Sequence, residues 1–195
     1  FAHAPMAQRE RVSFVRGQVQ ALLPRLAEMP GVSGCVLLAT CNRTELYVHG
    51  AEGASPDPLA MLACAAGFAA DEFRPLSVTC ADAECVQHLM AVSAGLESQI
   101  FGDDQILTQV REAAALAREA QTIDSVLDTL FRRAVTAGKR VRTEVRLTGV
   151  SASAAEVGVR RAQDFFGSLD GAACCVYAAQ SWLCGDGYAA QLSSR

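Results

Sequence analysis

The sequence predicts an α+β domain to about residue 150, a connecting helix over 151–168, and the opening strand of a further α/β unit over 169–195. Three observations predict it. A continuous apolar run, Gly34 to Ala39, and an extended stretch, Leu46 to Val48, flank a tight polar connection. Three long segments after residue 100 repeat apolar residues at helical spacing. A hinge-like GSLDG at 167–171 precedes a new apolar run, Ala172 to Tyr177. With 195 residues, 51% of them apolar and 19% charged, the chain buries a real core, which excludes a disordered chain.

In order, Pro5 to Leu26 reads as helical, with Val15, Val19, Leu22, Leu23 and Leu26 at spacings of three and four, ended by Pro30 and Gly31. The strand at Gly34–Ala39 is buried, because its run is unbroken. Thr40 to Glu45 (TCNRTE) turns the chain into the second extended stretch. Gly53 to Pro58 is a loop, Leu59 to Ala70 a helix of small residues, and Leu76 to Cys80 a further strand candidate. Glu84 to Val92 is a helix whose apolar face holds Cys85, Leu89 and Val92, with His88 on it, and Gly95 ends it. Asp103 stands at an N-cap position before a helix striped by Ile106, Val110, Ala113 and Ala117. Asp124 caps the next, which carries Leu127, Leu130, Phe131, Ala134 and Val141. After the break at Gly149–Ser153 comes a helix with Ala155, Val159, Ala162 and Phe166.

The net charge of −4 argues against a surface built throughout for polyanions. Charge is uneven, though. Arg132, Arg133, Lys139, Arg140, Arg142 and Arg146 face only Asp128 and Glu144 in the same stretch, a basic stripe on an acidic protein. The eight cysteines are irregularly spaced and sit in apolar runs, so they predict a reduced, cytoplasmic protein rather than a disulfide scaffold. No run is long enough to cross a bilayer, and FAHAPMAQRERVSF has no signal-peptide core. The absence of an initiator Met points to a trimmed start.

Three places could carry chemistry. Cys41 ends a buried strand inside a polar turn, where Arg43 and turn N–H groups favour a thiolate nucleophile. Taken alone, a cysteine in so cysteine-rich a chain is more often a small buried residue, but polar neighbours on both sides argue against burial. A lone His88 on an apolar helix face is ordinarily a core residue. It could also join Cys80 and Cys85 in a C-x4-C-x2-H metal cluster, although the chain lacks the C-x2-C or H-x3-H pair usual for zinc. Finally, GLESQIFGDDQILTQ (95–109) puts Asp103 and Asp104 at a helix start and Gln105 and Gln109 on one face, an arrangement that reads equally as a capped, solvated helix.

Together, ATCNRTELY, HLMAVSAGLESQIFGDDQILTQV and AGKRVRTE closely resemble glutamyl-tRNA reductase, the enzyme that opens the five-carbon route to tetrapyrroles. APMAQRERVSF is similar to that family's first helix, without its preceding strand, and the likeness covers roughly residues 1–168. It implies a ferredoxin-like N-terminal catalytic domain with added helices, a long linker (spinal) helix and an incomplete Rossmann-type start. Cys41 matches the nucleophile that takes the glutamyl group from glutamyl-tRNA(Glu) as a thioester, which NADPH reduces to glutamate-1-semialdehyde. His88 matches an activity-critical histidine. Thr40, Asn42 and Arg43 match the substrate-binding turn, with Arg43 suited to a carboxylate; Ser98, Asp103, Asp104, Gln105 and Gln109 match further substrate-binding positions. The basic stripe then becomes a contact for the tRNA backbone, and glutamate-1-semialdehyde aminomutase a further partner.

Two departures shape the expectation. Asp103 and Asp104 stand where the family carries Glu, usually followed by Pro. After the strand at Cys174–Ala179, AAQSWLCGDGYAAQLSSR replaces the Gly-rich turn that opens the NADPH domain, and the dimerisation helices are absent. The chain is thus expected to form the thioester but not to complete the reduction, to hydrolyse glutamyl-tRNA slowly, and to be monomeric. A non-catalytic tRNA- or partner-binding module, and a zinc-stabilised domain using Cys80, Cys85 and His88, are the alternatives.

Overall fold

The structure, a computed structural model, describes residues 5–98, 102, 105–145 and 154–171. Helices dominate it. In order they are α1 (Met6–Arg11), α2 (Arg16–Ala27), α3 (Pro58–Ala66), α4 (Ala70–Phe73), α5 (Asp82–Ala94), α6 (Gln105–Glu119), α7 (Ser125–Glu144) and α8 (Ala154–Phe166), with one strand pair, β1 (Val32–Ala39) and β2 (Thr44–Gly50), between α2 and α3.

The strands are antiparallel, with Val36 opposite Tyr47, Leu38 opposite Glu45 and Ala39 opposite Thr44, and an irregularity between Val32 and Gly34. Successive side chains on a strand point to opposite faces, yet Cys35, Val36, Leu37 and Leu38 are all buried. Both faces of β1 are therefore covered, as its unbroken apolar run predicts; α2 and α6 pack against it, and α7 reaches both strands. The core joins Leu22, Leu23 and Leu26 of α2 to Leu89 and Val92 of α5, Ile106 and Val110 of α6, and Leu127 and Phe131 of α7. Thr122 ties the α6–α7 loop to β1: Cys35 N donates to its carbonyl at 2.7 Å, and its hydroxyl donates to the Cys35 carbonyl at 3.2 Å.

Helix ends follow the local chemistry. The Asp57 carboxylate accepts from Leu59 N (3.0 Å) and Ala60 N (3.2 Å) ahead of Pro58, and Gly67 at φ +80° stops α3 earlier than the expected Ala70. Asp124 caps α7, accepting from Leu127 N at 2.9 Å, as expected. Its other carboxylate oxygen meets His49 Nδ1. α5 and α7 cross closely: a Cβ on Gly138 would lie 2.4 Å from the Ser93 carbonyl oxygen, and Arg142 Nη1 donates to that same oxygen at 2.8 Å.

Two expectations are corrected. The helical segment Pro5–Leu26 is two helices, because Val15 is extended (φ −77°, ψ 161°) and its N–H is capped by Gln18 Oε1 at 2.9 Å; the Val12 carbonyl left over accepts from Thr44 Oγ1 at 2.7 Å. Leu76–Cys80 is not a strand. A 3-10 turn, Arg74–Leu76, takes its start, no strand among the described residues pairs with it, and Val78 is 65% exposed. On α8, Val159 and Ala162 are half-buried, whereas Phe165 and Phe166 are 82% and 68% exposed, their rings packed edge to face. The expected strand at 172–177, the break at 149–153, Arg146, Asp103 and Asp104 lie outside the described residues. No helix among the described residues is long and apolar enough to cross a membrane.

Candidate active site

The β1–β2 connection, residues 40–43, is built by its own side chain. Thr40 Oγ1 accepts from Asn42 N (3.2 Å) and Arg43 N (3.1 Å), and Thr40 N donates to the Arg43 carbonyl at 2.8 Å. This local hydroxyl–backbone pattern closes a tight turn. Cys41 sits at its apex, exposed. From α1, Arg9 Nη1 donates to Asn42 Oδ1 at 3.2 Å, so the first helix braces the turn.

Behind the turn lies a charged network. Arg43, immediately before β2, alternates with Glu45 and Tyr47 on it, so the three share a face. The Glu45 carboxylate accepts from Arg43 Nη1 at 2.9 Å and from the Tyr47 hydroxyl at 2.6 Å, and His88 Nε2 of α5 stands 3.1 Å from it. Arg43 Nη2 donates to the Glu97 carbonyl. Burial alone would push the Glu45 carboxyl up, but His88, Arg43 and Tyr47 outweigh it and hold the carboxyl below its usual range. The hydrogen bond to Glu45 raises the His88 imidazole above its ordinary value, against the opposing effect of burial. His88 is thereby kept cationic nearer to neutral pH than a free histidine.

A cleft of about 500 Å³ opens over these groups. Its polar end is lined by Gln8, Arg9, Thr40, Cys41, Asn42, Arg43, Glu45 and His88; its other wall is apolar, with Leu59, Leu62, Phe68, Phe73, Leu76 and Val78. Thr40, Cys41, Asn42, Arg43 and His88, predicted from sequence, thus converge on one cleft. Ser98 follows Glu97, whose carbonyl holds Arg43, but does not line it; Gln105 is exposed at the start of α6; Gln109 lines a separate hollow of about 130 Å³ beside Ala39. Asp103 and Asp104 lie outside the described residues. Sequence reasoning missed Glu45, Tyr47, Arg9 and Gln8 as site residues, although the alternation of Arg43, Glu45 and Tyr47 is a signal that could have found two of them.

Among the described residues, no group of three or more His, Cys, Asp or Glu side chains is arranged to hold a metal ion. The alternative set of Cys80, Cys85 and His88 therefore does not form: His88 Nε2 is directed at Glu45 instead. Cys85 is half-buried, and burial raises its thiol, the reverse of what a metal-binding thiolate needs.

Residues 1–145 match the family described as Glutamyl-tRNAGlu reductase, N-terminal domain. The chain belongs to that family. Among curated relatives, glutamyl-tRNA reductase from Moorella thermoacetica is 43% identical over 172 residues, covering 86% of this chain and 39% of that protein. The one from Acetivibrio thermocellus is 40% identical over 152 residues, 78% of this chain and 46% of that protein. A probable multifunctional siroheme biosynthesis protein from Ruminiclostridium josui is 43% identical over 150 residues, 76% of this chain and 29% of that protein. The solved glutamyl-tRNA reductase from Methanopyrus kandleri superposes with a TM-score of 0.62 at 30% identity, over 86% of this chain and 38% of that chain. The chain therefore spans less than half the length of the relatives it matches.

Proposed function

We propose that this chain is the part of a glutamyl-tRNA reductase that binds glutamyl-tRNA(Glu) and takes its glutamyl group onto Cys41. The observation that carries the reading is the exposed Cys41 at the apex of a braced turn, on the same cleft as the Arg43–Glu45–His88 network. The Cys41 thiolate attacks the ester carbonyl carbon, the bond to the terminal ribose oxygen breaks, and a thioester remains. The leaving ribose oxygen needs a proton. His88, whose protonated form Glu45 favours through Nε2, gives it from Nδ1. Thr40, Asn42 and Arg43 form the substrate-binding turn, and Ser98, Asp103, Asp104, Gln105 and Gln109 are proposed as further glutamyl contacts on the family resemblance. The exposed Arg132, Arg133, Lys139 and Arg140 on α7 supply a basic face for tRNA phosphates, tempered by ion pairs from Arg132 to Asp128 (2.9 Å) and Arg140 to Glu144 (3.0 Å).

In the family reading, NADPH supplies hydride to convert the thioester to glutamate-1-semialdehyde. The described residues do not fit that cofactor, because their sheet is a single antiparallel pair rather than the parallel βαβ unit that cradles a dinucleotide. No step here is routed through it. The division into 1–150, 151–168 and 169–195, the ferredoxin-like and Rossmann-type parts of the architecture, a cytoplasmic location and an aminomutase partner are proposed on the same resemblance.

The test is deacylation without NADPH. The chain should release free tRNA and glutamate from glutamyl-tRNA slowly, through hydrolysis of the thioester, and Cys41→Ala should reduce this to the uncatalysed rate. Unchanged deacylation by Cys41→Ala would favour the binding-module reading instead.

A further inference from the structure

The cleft has a polar end and an apolar wall, and the aminoacyl group accounts only for the first. A glutamyl group is charged at both ends and belongs over Cys41 and Arg43. The wall of Leu59, Leu62, Phe68, Leu76 and Val78 offers its charges nothing. Val78 is 65% exposed there, an apolar side chain at the cleft rather than in the core. Helix α1 connects the two sides. Arg9 Nη1 donates to Asn42 Oδ1 in the turn at 3.2 Å, while Arg11 Nη2 donates to Glu72 Oε2 at 2.9 Å, with its guanidinium 5.2 Å from the centre of the Phe73 ring. Gln8, on the same helix, also lines the cleft, and its Oε1 is a buried acceptor without a partner. Buried polar atoms are almost always satisfied, and one that is unpaired gives up no bond in turning toward a ligand.

We infer that the apolar wall seats the terminal adenine of the tRNA, with the Gln8 amide reading its edge: Oε1 accepts from the exocyclic N6 and Nε2 donates to N7. This rests on the reading of the chain as a glutamyl-accepting domain and adds which part of the tRNA the cleft itself holds. The occupant follows from covalent connection. The ester that Cys41 attacks hangs on the ribose of the tRNA's terminal adenosine, so what lies beyond the reacting carbon is that ribose and its base. A base is flat, and its faces stack on aromatic and apolar side chains whatever its identity. Its edge is what differs. An amide matches adenine with one accepted and one donated bond, whereas guanine presents two acceptors at the same positions, so the amide makes one good pair instead of two. Gripping the base beside the ester also holds the ester carbonyl over Cys41.

The experiment follows single-turnover acylation of Cys41 in the full chain, without NADPH, by glutamyl-tRNA(Glu) whose terminal nucleoside is adenosine, guanosine or an abasic ribose. Wild type, Gln8→Ala and Val78→Asp are compared at subsaturating tRNA, and the rate of Cys41 alkylation by iodoacetamide reports whether the turn is intact. Wild type should react about 10-fold faster with the adenosine terminus than with guanosine, and about 10-fold faster with guanosine than with the abasic ribose. With alkylation unchanged, Gln8→Ala should lose most of the preference for adenosine over guanosine. Val78→Asp should lose most of the preference for either base over the abasic ribose. If wild type takes all three termini alike, or if either variant keeps the preference assigned to its residue, the inference fails while the functional reading stands. If wild type is not acylated even with the adenosine terminus, the functional reading fails and the inference with it.

Discussion

Replacing Glu45 by glutamine removes one charge from the centre of the site while keeping its shape. The carboxylate now serves Arg43 at 2.9 Å, Tyr47 at 2.6 Å and His88 at 3.1 Å, with side-chain exposures of 18% for Glu45 and 10% for Arg43. A glutamine offers one acceptor oxygen, so its amide N–H groups must face at least one existing donor. Breaking a buried pair on one side costs about 3–5 kcal/mol. The lower end applies here, because Arg43 keeps the Glu97 carbonyl and the site is not sealed from water. About 3 kcal/mol in a domain of this size lowers Tm by roughly 10 °C.

The pH dependence fixes the sign. His88 is raised in the folded state, so its contribution is complete below its ordinary 6.5 and is lost as pH rises through the raised value. Glu45 is lowered, so its contribution is present above its ordinary 4.5 and is lost as pH falls through the depressed value. The difference between wild type and Glu45→Gln should therefore be largest between those two values and shrink on either side. Urea unfolding at a series of pH values, with the His88 ring titrated by NMR, measures both. A variant within about 0.5 kcal/mol of wild type throughout, with the His88 titration unmoved, would refute the network as described.

Three other outcomes follow from the geometry. Gly138→Ala puts a Cβ 2.4 Å from the Ser93 carbonyl, a backbone atom that cannot swing aside, so chemical denaturation should show a loss of about 2–3 kcal/mol. Asp124→Ala removes the cap on Leu127 N and the contact to His49, and should cost about 1–2 kcal/mol in the same assay, with Cys41 alkylation unchanged. Arg133→Ala with Lys139→Ala takes two exposed cations from α7; if that face holds tRNA, affinity should fall for every tRNA sequence, and the salt slope should drop by about one for each phosphate left without its cation.

Much of this was legible because local chemistry and tertiary demand agree. The unbroken run Gly34–Ala39 could only be a strand covered on both faces, and Asp124 could only cap the helix that follows it. Elsewhere the decisive term was not local. Leu76–Cys80 has strand-like composition, but a strand needs a partner, and none among the described residues pairs with it. The α8 periodicity marks a helix and an apolar face, while what covers Phe165 and Phe166 is not encoded in their spacing. In the site, the turn was readable as a motif, whereas the partners of Arg43 were not: Glu97 is distant in sequence and offers a backbone carbonyl, which no residue identity signals. Arg9 was hidden for the same reason, since only the packing of α1 against the turn brings it to Asn42 and the cleft.

The central claim is that Cys41 accepts a glutamyl group, and mass spectrometry of the intact chain after incubation with glutamyl-tRNA without NADPH tests it most directly. The account predicts a mass gain of one glutamyl residue, mapped to the peptide containing Cys41 and removed by hydroxylamine as a thioester. Bound tRNA with Cys41 unmodified at every time point would contradict it.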